Sequence, residues 1–81
     1  MIGTFEQGCA TGRSPMLSEP EKVHLEDAIY PLALAAAGEQ DTLRNRSIAA
    51  SDYWQFLLSG GGTDADAITL IARGLRACDA G

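Results

Sequence analysis

Ser59-Gly60-Gly61-Gly62-Thr63 decides how this chain folds. Glycine takes up positive φ without penalty and is the usual residue just past a helix C-terminus. Thr63 can then accept a hydrogen bond from a first-turn amide. Asp64 and Asp66 stand where a helix dipole favours negative charge. The stretch therefore ends one helix and starts another. Beyond it, Ile68, Ile71, Leu75 and Cys78 recur at three-four spacing, which predicts a third helix over 64–78 with a narrow apolar seam. Arg73 and Arg76 suit the negative end of its dipole. Gly74 costs roughly 0.5–1 kcal/mol relative to alanine inside a helix, so another backbone is expected to approach there.

Working back from the glycines, the second helix is strongest over 48–58. Ala49, Tyr53, Phe56 and Leu57 share a face assigned to the core, and Trp54 and Leu58 project from the opposite side. A polar connection over 39–45 precedes it, with Asp41 or Thr42 as the cap. The first helix is expected over 19–37. Ser18 and Glu21 have capping-box spacing, Pro20 falls in the first turn where it forfeits no helical bond, and Gly38 is the stop. Leu25, Ala28, Ile29, Leu32 and Ala36 form its core stripe. Val23, Tyr30 and Leu34 form a second stripe nearly opposite, to be covered by the third helix, the N-terminal arm or a second copy. Pro31 removes the bond to the Asp27 carbonyl and should kink or split this helix.

In residues 1–17, Gly3, Gly8, Gly12, Ser14 and Pro15 break any helical period. This region is expected to be a flexible arm anchored by some of Ile2, Phe5, Met16 and Leu17, and Met16 offers a second translation start. The expected architecture is all-α: a small bundle of three main helices over 18–81, the first kinked at Pro31, behind a loose N-terminal arm.

A chain of 81 residues makes one domain and buries only ~60% of the surface its unfolded form exposes. Eleven acidic residues against six basic ones leave a net charge of −5. That balance disfavours nucleic acid and anionic membrane, and suits a protein partner with a basic surface. No apolar run approaches the ~20 residues of a membrane span, and Met1-Ile2-Gly3-Thr4-Phe5-Glu6 lacks the pattern of a signal peptide. A cytoplasmic location is the expectation. In that compartment a Cys9–Cys78 disulfide is disfavoured, and Cys78 reads as a small core residue.

Motifs that carry chemistry are incomplete. Glu21 and His24 have the Glu-x-x-His spacing of carboxylate-bridged metal centres, but the further ligands are missing. The glycine turn lacks a P-loop lysine, and Asp64 and Asp66 would repel phosphate. Asp64-Ala65-Asp66 is too short for a calcium loop. Cys9 and His24 have no evident nucleophile–base relation. The second and third helices outline a helix-turn-helix, yet the reading helix would begin with two acids. No catalytic, cofactor-binding or metal-ligating residue is assigned, and an enzyme is not expected.

What stands out is Tyr53-Trp54, adjacent on a helix and unable both to point inward. Interface hot spots are enriched in Trp and Tyr. The expected partner-binding residues are Glu19, Glu21, Glu26 and Asp27 as charges, with Tyr30, Leu34, Trp54 and Leu58 as apolar anchors. No motif carries a resemblance to a particular family; by analogy of size, charge and missing chemistry alone, such lone domains occur among regulators encoded by phages and other mobile elements, including anti-CRISPR and anti-host-factor inhibitors. The analogy implies a small acidic module that binds another protein and changes its activity. A helical accessory subunit or homodimer is the alternative, and a degenerate helix-turn-helix regulator a further one.

Overall fold

The computed structural model describes residues 15–80. Its first rod is built from α1 (Glu19–His24), a π-helical turn (Leu25–Ile29) and α2 (Tyr30–Ala37), followed by α3 (Leu43–Leu58) and α4 (Asp64–Ala80). The described residues contain no strand, and the expected three-helix bundle is what forms.

Local hydrogen bonds place nearly every boundary. At the start of α1, the Glu21 amide donates to Ser18 Oγ and the Ser18 amide donates to Glu21 Oε1 at 2.8 Å, a reciprocal capping box. Thr42 rather than Asp41 caps α3, its Oγ1 accepting from the Asn45 amide at 3.0 Å. This helix begins earlier than its strongest apolar period, so Asn45 belongs to its first turn. Thr63 Oγ1 accepts from the Asp66 amide at 3.1 Å and the Thr63 amide donates back to Asp66 Oδ2.

The two C-termini that matter close alike. Glu39 N–H reaches the Leu34 carbonyl, and Gly61 N–H reaches the Phe56 carbonyl. Gly38 has φ 69°, Gly60 φ 111° and Gly61 φ 72°. These are Schellman closures, which satisfy last-turn carbonyls only where the chain can turn left-handed. The glycines thus stop α2 and α3 where the sequence predicts.

At Pro31 the first helix is interrupted as expected, and the interruption takes the form of a π-helical turn between α1 and α2. Pro31 lacks the N–H that would bond the Asp27 carbonyl, and its ring needs room beside that carbonyl. The chain widens into a π turn immediately upstream, where Tyr30 N–H donates to the Leu25 carbonyl five residues back. The extra residue in that turn rotates everything downstream. Leu25 and Ile29 are buried as expected, but the stripe then continues through Tyr30 and Ala33, with Leu34 and Ala37 packed at its edge.

Leu32, expected in the core, is 56% exposed, and Ala36 is also exposed. Tyr30 and Leu34, expected on the opposite stripe, face inward. Val23, upstream of the shift, stays outside at 51%.

The rod and α4 run parallel. His24 Nε2 donates to Asp64 Oδ1 at 2.9 Å near one end, and Arg76 donates to the Ala36 carbonyl near the other. Antiparallel to both, α3 brings Arg44 to the Cys78 carbonyl and the Phe56 ring to Gly62. Ile29, Ile71 and Leu75 are the largest fully buried side chains, each stabilising the fold by about 1.5–3 kcal/mol. Ile48, Ala49, Tyr53, Ala67 and Cys78 complete the core, and Leu17 packs against it from the entering chain while Met16 is exposed.

Two expectations need correction here. Cys78 is buried as expected, but it is disulfide-bonded rather than a reduced thiol; Cys9 lies outside the described residues. A domain this small has little core to spare, and a covalent tie is a common supplement. At Gly74 the close approach is a side chain, not a backbone. A methyl group there would collide with Oδ2 of Asp52, which reaches across from α3.

Candidate protein-interaction surface

The antiparallel course of α3 puts its C-terminal half at the same end of the bundle as the N-termini of α1 and α4. Glu19 and Glu21 come from α1, Asp64 and Asp66 from α4, and Trp54 and Leu58 from α3. Tyr53 reports this convergence. Its hydroxyl is pushed above its ordinary range first by burial, then by the negative charges of Asp64 and Glu21. Both helix N-termini favour carboxylates electrostatically, so the fold itself concentrates acid at this end.

On α3, Leu43, Trp54 and Leu58 follow helical spacing along the side turned away from the core, whereas Ala50 packs against the core. Leu43 is 83% and Leu58 67% exposed, while Ala50 and Trp54 are half-buried. Trp54 lies outside the set of side chains packed against the buried core cluster. The sequence-based division of this helix into a core face and a Trp54–Leu58 face therefore describes the structure. Leu43 extends the outer face and was missed. Its signal was its position directly after the Thr42 cap, on the same helical period as Trp54.

Along the rod, an open groove is lined by Glu19, Pro20, Val23, His24 and Asp27. Pro20 and Val23 give it an apolar floor, with carboxylates from Glu19 and Asp27. Glu26 is exposed in the π turn. Glu21 is partly committed, because its carboxylate closes the capping box with Ser18.

Tyr30 does not belong to any exposed surface, which corrects its assignment as a partner anchor. It is buried, and its hydroxyl donates to Asp41 Oδ1 at 3.0 Å. Burial, reinforced by that carboxylate, pushes its hydroxyl up to about 12. Arg46 clasps the same carboxylate through Nε at 2.7 Å and Nη2 at 2.9 Å. That bidentate pair is the main reason Asp41 is held down at about 2. The trio ties the α2–α3 connection to the core. Leu34 is likewise half-buried against the core, so it too leaves the list of free anchors. Both side chains are lost to the surface through the one-residue shift of the π turn.

The opposite end of the bundle carries the arginines. Arg44 and Arg76 donate to late carbonyls of α4 and α2, and Arg46 is paired with Asp41. Among the described residues, Glu19, Glu21, Asp64 and Asp66 thus lie toward the Trp54 end together with Lys22, and the arginines toward the other end together with Glu39 and Asp41. Among the described residues no group of three or more His, Cys, Asp or Glu side chains is arranged to hold a metal ion. No helix there is long and apolar enough to cross a membrane.

No protein-family model matches this chain, and comparison with curated proteins and with solved structures returns no match.

Proposed function

We propose that this chain is a small acidic interaction module that inhibits or regulates a larger protein by seating its acidic end on a basic surface. The observation that carries the reading is the meeting of two different features at one end. Carboxylates from two helix N-termini lie there with the half-buried Trp54 and the exposed Leu58 of a third helix. Exposed charges of one sign steer encounter with the opposite sign, while a desolvated aromatic supplies lasting affinity. Glu19, Glu26 and Asp27 act as the main charges in this reading, with Asp64 and Asp66 partly committed to His24 and the Thr63 amide, and Trp54 with Leu58 is the anchor. Tyr30 and Leu34 have no part in it.

Affinity capture with the whole chain tests the assignment when run beside a Trp54→Ala/Leu58→Ala double variant whose helical content is checked by circular dichroism. A protein retained by the wild type and lost by the folded variant supports it. Equal recovery by both overturns it.

The exposed Leu43 and Leu58 favour one second reading, a homodimer or accessory subunit joined through the outer side of α3. The route through Val23, Tyr30 and Leu34 is closed, because two of those three side chains pack inside the monomer. Molar mass in solution separates the readings: a stable dimer that Leu43→Gln/Leu58→Gln dissolves favours self-assembly, and a monomer favours a foreign partner.

A further inference from the structure

Among the described residues, Asp52 is an ionisable side chain wedged between two helices, with no hydrogen bond in a cap and no ion pair. It extends from α3 toward α4, and the space its carboxylate fills exists because residue 74 has no Cβ. Of its neighbours one helical turn away, Ile48 and Ala49 are buried, Phe56 is half-buried and Gln55 is exposed. The ion pairs of the described residues are His24–Asp64 and Arg46–Asp41, and neither involves Asp52.

We infer that Asp52 and Gly74 form a proton-sensitive joint between α3 and α4, tight when the carboxyl is neutral and loosened when it is ionised. The inference is independent of the proposed partner. A neutral carboxyl can rest against the glycine backbone at little cost, whereas a carboxylate there loses water without gaining a counter-charge.

Among the described residues, the surrounding charged and titratable groups do not supply one. On α3, Arg44 is turned to the Cys78 carbonyl and Arg46 to Asp41, and the Tyr53 hydroxyl responds to Asp64 and Glu21. On α4, Arg76 is held by the Ala36 carbonyl, Arg73 forms no ion pair with Asp52, and Cys78 does not titrate as a disulfide. On the rod, Tyr30 is bonded to Asp41.

Burial alone accordingly raises Asp52 to about 6 from an ordinary 3.8. The sign follows directly. The folded state holds this proton more tightly than the unfolded chain, so stability declines as pH rises from about 4 to about 6 and is level above that.

Two measurements on the whole chain test the joint. The first is a carbon-13 titration of the Asp52 carboxyl in the wild type, expected to show a midpoint near 6. A midpoint near 4, as for a solvated aspartate, overturns the proposal whether or not any variant folds.

The second is denaturant unfolding of wild type and Asp52→Asn between about pH 4 and pH 7. Partial exposure of the carboxyl reduces the swing, so the wild-type folding constant is expected to fall about tenfold relative to the variant across that range. The His24–Asp64 pair is common to both chains and cancels. Parallel pH profiles contradict the joint. Gly74→Ala, if folded, expels the carboxylate, and its Asp52 midpoint returns toward the ordinary value.

Discussion

The two sides of α3 obey different rules. Its inner side presents Ile48, Ala49 and Tyr53 to α4 and the rod, and each is sealed from water. Its outer side carries Leu43, Trp54 and Leu58 on the same helical period, with Leu43 and Leu58 open to solvent and Trp54 half-covered. Identical chemistry at identical spacing thus has a structural explanation on one side only. Folding of the described domain accounts for the inner side. Leu43 and Leu58 on the outer side gain little from it, and that exposure is the ground for the proposed partner.

The sharpest way to break this contrast is to truncate both sides and compare stabilities. Leu75, fully buried where α4 meets the core, should cost about 2–5 kcal/mol on replacement by alanine. Leu58→Gln should change stability by less than about 0.5 kcal/mol. Denaturant unfolding of both variants checks the pair, and comparable losses would mean that the outer side is structural after all.

A smaller effect concerns the boundary where the outer face ends. Thr63→Ala removes the acceptor for the Asp66 amide and should cost ~1 kcal/mol in the same assay. A loss near zero would show that the glycine turn alone separates α3 from α4.

The smallest expected effect is at acid pH. Asp41 is held by Arg46 and Tyr30 at about 2, below its ordinary 3.8. Its contribution is therefore complete above about pH 4 and is lost as pH falls through about 2. Acid unfolding of Asp41→Asn should converge with the wild type toward pH 2 and separate from it above pH 4. A gap unchanged across that range would mean the trio at the α2–α3 connection contributes by packing rather than by charge.

What could be read in the sequence divides along the same physical line. Ser18, Gly38, Thr42, Gly60, Gly61 and Thr63 were legible because caps and left-handed turns depend on residues a few positions apart. The two faces of α3 were legible because the helix is regular. Past Pro31 the period failed. A missing N–H announces an irregularity, but whether the helix kinks, splits or widens depends on how α2 packs against α4. Widening moved Tyr30 and Leu34 inward and Leu32 outward by a single position.

Asp52 was missed for a related reason. It lies on the buried period of α3, yet a charged residue there reads as surface until its partner is known. Gly74 was the visible half of that contact. The acidic end of the candidate surface was also only half legible, because Glu21 and Asp64, which both act on Tyr53, come together only when the rod and α4 are seen to run parallel.

The most direct test of the central claim is a kinetic one on the captured partner. Association and dissociation rates would be measured for the wild type, Glu26→Lys/Asp27→Lys and Trp54→Ala at low and high salt. The account predicts association that slows as salt screens the acidic surface and slows further on charge reversal. It also predicts that loss of Trp54 mainly speeds dissociation, weakening binding by ~2 kcal/mol or more. Rates indifferent to salt, to the carboxylates and to Trp54 would contradict it.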